Sequence, residues 1–288
     1  SEMDHGMDSG QYTFTLNIPP DFQRDVLAGH SPAIQLNVDA TQVSMAFTGA
    51  GYIQMIGAEE VSAFLRHYRA DLPQQAALAV RVAFNPNLTR SWFGSVMEVI
   101  NQITMLSIIL TGAALIRERE HGTIEHLLVM PVTPFEIMLA KVWAMGLVVL
   151  LASAFALRFI VEGWLQIPIQ GSLLLFIGGA ALHLFATTSM GIFFGTVARS
   201  MPQLGLLIIL ALMPLQILSG GMTPRESMPE LVQHIMLAAP TTHFIELAQA
   251  ILFRGAGVSV IWPQLLALAV IGAVFFVGAL SRLRVSLR

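Results

Sequence analysis

Five stretches of this sequence are apolar for about the length that a lipid bilayer demands, and they decide what the chain can fold into. A helix crossing the hydrocarbon core needs about 20 mostly apolar residues. The stretches fall at roughly 94–116, 137–161, 172–197, 203–221 and 260–281. In lipid every backbone N–H and C=O must find its partner inside the protein, so isolated apolar segments of this length are read as helices. Composition agrees: charged residues make up 11% of the chain, against roughly 25% in soluble domains. The expectation over 92–288 is a membrane all-α bundle with five spans visible.

Residues 1–91 read differently. Tyr12–Ile18 alternates with β-branched and aromatic residues, as does Ala33–Asp39, and period-two alternation is the signature of a strand. Between them Pro19-Pro20 breaks the chain before a short helix through Val26-Leu27. Gln42 to about Tyr68 carries apolar residues near helical spacing, and Leu78–Phe84 alternates again. The order βαβαβ predicts a small α/β domain, extracytoplasmic by the charge argument below. Its first strand lies close to Ser1, and the chain opens directly in polar, domain-like sequence. An upstream segment is therefore expected, which would complete this domain at its N-terminal end and supply a sixth span in the full protein.

Arginine and lysine set the orientation, because cytoplasmic loops carry their excess. Arg117, Arg119, Lys141, Arg199, Arg282, Arg284 and Arg288 fall on one side of the predicted bundle, and Arg158, Arg225 and Arg254 on the other. The first side is read as cytoplasmic. That puts 1–91, Glu162-Gly163 and 224–254 outside. Trp92, Trp143, Trp164 and Trp262 fall near predicted span ends, where indoles concentrate. The net charge of −3 and the absence of a basic run point away from nucleic acid and from a polybasic lipid anchor. With no cysteine, disulfides and thiolate-bound metals are excluded.

The stretch Arg117-Glu118-Arg119-Glu120-His121-Gly122-Thr123-Ile124-Glu125-His126-Leu127-Leu128-Val129-Met130-Pro131 lies in water between the first two spans. Gly122-Thr123 ends the incoming helix and caps a short amphipathic one, which Pro131 stops. Thr133-Pro134-Phe135-Glu136 then forms a capping box with proline at the first helical position. A short helix held between two rigid spans can pass on a push from a soluble partner. The plainer reading is a solvated connection.

Glu118-Arg119-Glu120-His121-Gly122-Thr123-Ile124-Glu125-His126-Leu127 with Pro131 closely resembles the E-R-E-x-G-T-x-E-x-L turn of ABC transporter type-2 permeases. Within them the chain is most similar to bacterial exporter permeases that carry a large domain between their first two spans. Asn17-Ile18-Pro19-Pro20-Asp21-Phe22, Phe84-Asn85-Pro86, Ser219-Gly220-Gly221 and Trp262-Pro263-Gln264 extend the likeness over almost the whole chain. The resemblance implies a coupling helix at about 118–131 that docks on an ABC ATPase subunit through Glu118, Arg119, Glu120, Gly122, Thr123, Glu125, Leu127 and Pro131. It implies six spans per complete subunit and outer re-entrant helices at about 223–254. On this reading a second permease subunit, identical or different, completes the path, and the outer domain contacts substrate or an envelope partner such as a periplasmic adaptor.

Chemistry inside the chain is sparse. Lys141 is the single lysine and follows Ile137-Met138-Leu139-Ala140, not the glycine-rich loop that cradles phosphates. ATP and Mg are therefore assigned to the partner subunit, and this chain is read as a permease without enzymatic activity or a cofactor of its own. His243 and Glu246 are one turn apart with no third ligand nearby. Glu98, Asn101 and Gln102 form one polar helix face, read as a substrate route, a subunit interface, plain interhelical hydrogen bonding, or, for Glu98, a place at the lipid headgroups. His183 and Thr187 read as packing. Gly191 and Gly195 allow close helix approach, within the subunit or across a dimer. Pro214 should kink its span. Thr223-Pro224-Arg225-Glu226 and Ser227-Met228-Pro229-Glu230 read as caps, and Thr241-Thr242 as preceding a third short piece that ends at Arg254-Gly255. Gly220, Gly221, Pro224 and Pro229 are candidate exit-gate residues, against a structured outer loop. The sequence thus reads as the permease subunit of an ATP-driven exporter in a bacterial inner membrane. The alternative is a membrane-anchored extracytoplasmic sensor that signals through the same turn.

Overall fold

In the computed structural model of the chain the residues described are 3, 6–7, 12–28, 30, 32–39, 43–68, 77–83, 90–122, 131–221 and 228–286. The chain divides into two units, Ser1–Phe93 and Gly94–Arg288.

The first unit contains β1 (Phe14–Asn17), α1 (Phe22–Leu27), β2 (Ala33–Asp39), α2 (Val43–Tyr68) and β3 (Ala77–Ala83). The sheet order is β1-β2-β3. β1 runs antiparallel to β2, with Leu16 opposite Leu36, and β3 runs parallel to it, with Val80 opposite Leu36. β2 is thus the central strand, and its Leu36 and Val38 are buried beneath Phe14, Ala50 and Ile53. A second small cluster joins α1 to α2 through Phe22, Val26, Val61 and Phe64.

The second unit is helical. Among the described residues five helices are long and apolar enough to cross a membrane: Gly94–Glu120, Pro134–Trp164, Leu173–Val197, Met201–Leu218 and Val258–Arg284. They belong to α3 (Arg90–Glu120), α4 (Pro134–Phe155, continued by a π-helical stretch Ala156–Trp164), α5 (Leu173–Val197), α6 (Met201–Leu218) and α9 (Val258–Ser286). Two shorter helices, α7 (Glu230–Met236) and α8 (Pro240–Leu252), precede the last span. The five expected spans are all present, with shifted ends. The second gains its π-helical extension, which no sequence period announces. The fourth stops at Leu218 because Ser219–Gly221 bends away, with Gly220 at φ 96°. Pro214 lies inside α6 without ending it.

α5 is the central helix, packed against α4, α8 and α9. One cluster on it joins α3 and α6 through Ile108, Ile116, Met190, Leu204 and Ile208. Another joins α3, α4 and α9 through Leu115, Met138, Ile192, Phe276 and Leu283. The G-x-x-x-G step lies between α5 and α3 of the same subunit. A Cβ on Gly191 would stand 2.7 Å from the Ile108 carbonyl oxygen, and one on Gly195 3.1 Å from that of Gly112. The outward faces of α4, α6 and α9 are large and apolar, as at Trp143, Leu151, Leu210, Met213, Val270 and Val274, as expected of helices solvated by lipid.

Candidate functional site

The charged turn begins where α3 ends. His121 N–H reaches back to the Arg117 carbonyl at 3.0 Å and Gly122 N–H to that of Arg119 at 3.2 Å. Gly122 sits at φ 70°, the left-handed geometry in which glycine ends helices. Two of the charges have partners inside the subunit. The Glu118 carboxylate pairs with the Lys141 ammonium on α4, with side chains 30% and 11% exposed. Arg119 Nη1 donates to the Ala198 carbonyl at 3.0 Å, at the end of α5. Arg117, Glu120 and His121 are exposed. The last turn of α3 is thereby pinned to α4 and to the α5–α6 connection.

Thr123, Glu125 and Leu127, with the rest of 123–130, lie outside the described residues. The chain resumes at an exposed Pro131, and α4 opens as expected. The Glu136 N–H donates to Thr133 Oγ1 at 3.3 Å, and the Thr133 N–H donates to Glu136 Oε2 at 2.7 Å. Pro134 occupies the first turn. The reciprocal bonds satisfy two backbone donors that a helix start leaves open, so the turn has an ordered boundary on both sides.

Toward the other end of α3, Gln102 Nε2 donates to Glu98 Oε1 at 2.6 Å. Both side chains line a groove between α3 and α4, whereas Asn101 is not among its lining residues. Deeper, a buried polar seam joins α3 to α5. The His183 ring lies 2.8 Å from Thr104 Oγ1 through Nε2, and Ser107 Oγ donates to Thr187 Oγ1 at 2.7 Å. Thr111 donates to the Ser107 carbonyl. His183 also stacks on Phe244 of α8, centroids 4.0 Å apart and planes within 7°. The His183–Thr187 pair is a packing element, as expected, but its partners come from two other helices. The i, i+4 spacing marks the pair in the sequence, but nothing local links Thr104 to His183, 79 positions away.

The 223–254 region differs from expectation in two respects. α7 and α8 meet at 86°, a sharp break. Yet α8 is a core helix: Phe244, Ile245, Leu247, Ala248, Ile251 and Leu252 are all buried. It starts at Pro240, not after Thr241-Thr242, because proline suits the first helical position. The Thr241 and Thr242 hydroxyls are buried inside the helix without a hydrogen-bond partner among the described residues. Of the candidate gate residues, Pro229 precedes α7, and Gly221 packs against Met97 of α3 and Ile245 of α8. Pro224, with the caps proposed at Thr223 and Ser227, lies outside the described residues. His243 and Glu246 do not converge: the His243 ring meets the Leu237 carbonyl at 2.9 Å, and Glu246 faces Gln264.

Known proteins are similar in sequence along nearly the whole chain. Residues 1–281 match the family described as ABC-2 family transporter protein. The chain is 65% identical to the inner membrane transport permease YhhJ of Escherichia coli (strain K12) over 283 residues, which is 98% of this chain and 76% of that protein. It is 28% identical over 274 residues, 93% of this chain and 72% of the relative, to a protein named "Probable multidrug ABC transporter permease YbhR" from the same organism. A third relative there, named "Probable multidrug ABC transporter permease YbhS", is 26% identical over 282 residues, 94% and 72% of the two chains.

Proposed function

This chain belongs to the ABC-2 family of transporter permeases, and from that premise we propose that it is the membrane-spanning subunit of an ATP-driven exporter of the bacterial inner membrane. ATP and Mg bind to separate ATPase subunits, which dock on the segment between Gly122 and Pro131. The observation that carries this reading is the anchoring of that segment. On its N-terminal side Glu118 and Arg119 hold the end of α3 to α4 and to the α5–α6 connection. On its C-terminal side the Thr133–Glu136 box fixes the start of α4. A displacement of the segment is then passed to three spans together. In this reading Glu118 and Arg119 are positioning residues, and Glu120, Thr123, Glu125 and Leu127 are left to meet the ATPase.

The unit Ser1–Phe93 is assigned to the periplasmic side, where it contacts substrate or an envelope adaptor. A second permease subunit completes the translocation path. The bent pair α7–α8, tied to α3 where Gln249 Nε2 donates to Met97 Sδ at 3.6 Å, gates the outer end. The test is co-purification of the full-length protein with its ATPase, reconstitution in vesicles, and a screen for substrates that stimulate ATP hydrolysis. ATP-dependent movement away from the ATPase side supports the reading. A complex that hydrolyses ATP and moves nothing in that direction under a broad screen would sink the exporter assignment.

A further inference from the structure

Away from the charged turn, α3 and α4 part to leave a groove of about 440 Å³, within the range of small-molecule sites. Its walls are apolar, with Leu106 on α3 and Val149, Ala152 and Ala156 on α4. Ala156 begins the π-helical stretch, a departure from α-geometry that is frequent at functional sites. One ionisable group lines the groove, the Glu98 carboxylate. Its hydrogen bond comes from Gln102, a neutral amide that satisfies one oxygen and brings no charge. Among the described residues no lysine, arginine or histidine pairs with Glu98. The arginine on the adjoining π-helical stretch, Arg158, is taken up by Glu162 at 2.6 Å. Glu98 is exposed and lies one turn inside the span that begins at Gly94, and a carboxylate within a membrane span marks a candidate functional position.

We propose that this groove binds an organic cation with a bulky apolar body, with Glu98 as its counter-ion and Gln102 holding the carboxylate in place. The apolar walls take up the body, and the single charge selects its sign. Resting on the permease reading, this names the transported class as lipophilic cations that enter from the bilayer.

The probes are tetraphenylphosphonium and tetraphenylborate, matched in size and apolarity and opposite in charge. Binding is measured to the full-length protein in lipid nanodiscs. The expected result is a clear preference for tetraphenylphosphonium, weakened at least about tenfold by Glu98→Gln. Glu98→Lys should reverse the preference toward tetraphenylborate, a gain that a misfolded protein does not show. Leu106→Trp, which fills the groove, should weaken both probes. Equal binding of the two probes, or a preference that survives Glu98→Lys, overturns the proposal. So does phosphatidylethanolamine that co-purifies with the unsubstituted protein and is lost with Glu98→Gln, since the occupant is then membrane lipid. The two readings fail separately. ATP-driven transport that ignores Glu98 removes the cation site and leaves the exporter. Glu98-dependent binding without ATP-driven transport does the reverse.

Discussion

Lys141, the only lysine in the chain, spends its charge on Glu118 in the last turn of α3, and the pair is largely shielded from solvent. The second carboxylate oxygen of Glu118 is buried and has no hydrogen-bond partner among the described residues. Removing the cation therefore leaves a half-buried carboxylate without compensation. Lys141→Met should cost about 1–3 kcal/mol, read as a lower unfolding temperature in detergent. The exchange Glu118→Lys with Lys141→Glu should recover most of the loss, because residues in direct contact couple by about 0.5–3 kcal/mol. A double exchange no better than the sum of its single changes would mean that Glu118 answers to a partner outside the subunit.

The start of α4 has its own measurable contribution. Thr133→Ala removes the side-chain acceptor of the Glu136 N–H and should destabilise the helix start by about 1 kcal/mol. Thr133→Ser should restore it. Hydrogen exchange of the amides from Phe135 to Ile137 is the readout. Protection unchanged in the alanine variant would show that the box is dispensable to the turn.

Close packing of α3 on α5 makes Gly191 intolerant of size. Because the two nearest atoms it would meet are Ile108 backbone atoms, with Thr111 Oγ1 next, a larger residue must push two helices apart. Gly191→Val should cost about 1–3 kcal/mol and lower the unfolding temperature. Gly178, whose added Cβ would meet nothing within 4 Å, serves as the control and should accept the same change with a smaller loss. Similar behaviour at both positions would remove the close contact as the reason for glycine at 191.

How much of this was legible in the sequence depends on the range of each interaction. Span number followed from hydropathy, and the Thr133-Pro134-Phe135-Glu136 box from a motif complete within four residues. The chain order of strands and helices in Ser1–Phe93 followed from period-two runs separated by helices, but the antiparallel pairing of β1 with β2 did not. By contrast, Glu118 and Lys141 are 23 positions apart, and neither signals the other. Glu118 and Arg119 sit in a motif whose family role suggested docking, and only the packing of α3 on its neighbours reveals their bonds within the subunit. The start of α8 was misjudged for a local reason: Thr241-Thr242 are good capping residues, but Pro240 before them is the better first residue of a helix.

Orientation is open to direct labelling because the chain has no native cysteine. A cysteine replacing His121 should be protected from a membrane-impermeant thiol reagent in intact cells, and one replacing Ser227 should be labelled. Permeabilised cells should label both. The reverse pattern would invert the topology and place the turn on the wrong side for an ATPase.

The decisive variant for coupling is Glu125→Arg. Its charge belongs to the segment assigned to the ATPase, and reversing a charge at a contact typically weakens the complex by about 2–5 kcal/mol when the partner charge is buried. Substrate-stimulated ATP hydrolysis should fall several-fold while the protein still inserts and keeps its unfolding temperature. Gly122→Pro provides an independent route to the same end. Gly122 stands at φ 70° and donates its N–H to Arg119, whereas proline holds φ near −65° and has no N–H to give. The turn then leaves α3 in the wrong direction although no ATPase contact has been removed. Both variants should uncouple, Glu125→Arg by losing affinity for the ATPase and Gly122→Pro by misdirecting the segment that it presses. Pull-down of the ATPase separates the two mechanisms. Normal transport in both variants would end the coupling role of this turn.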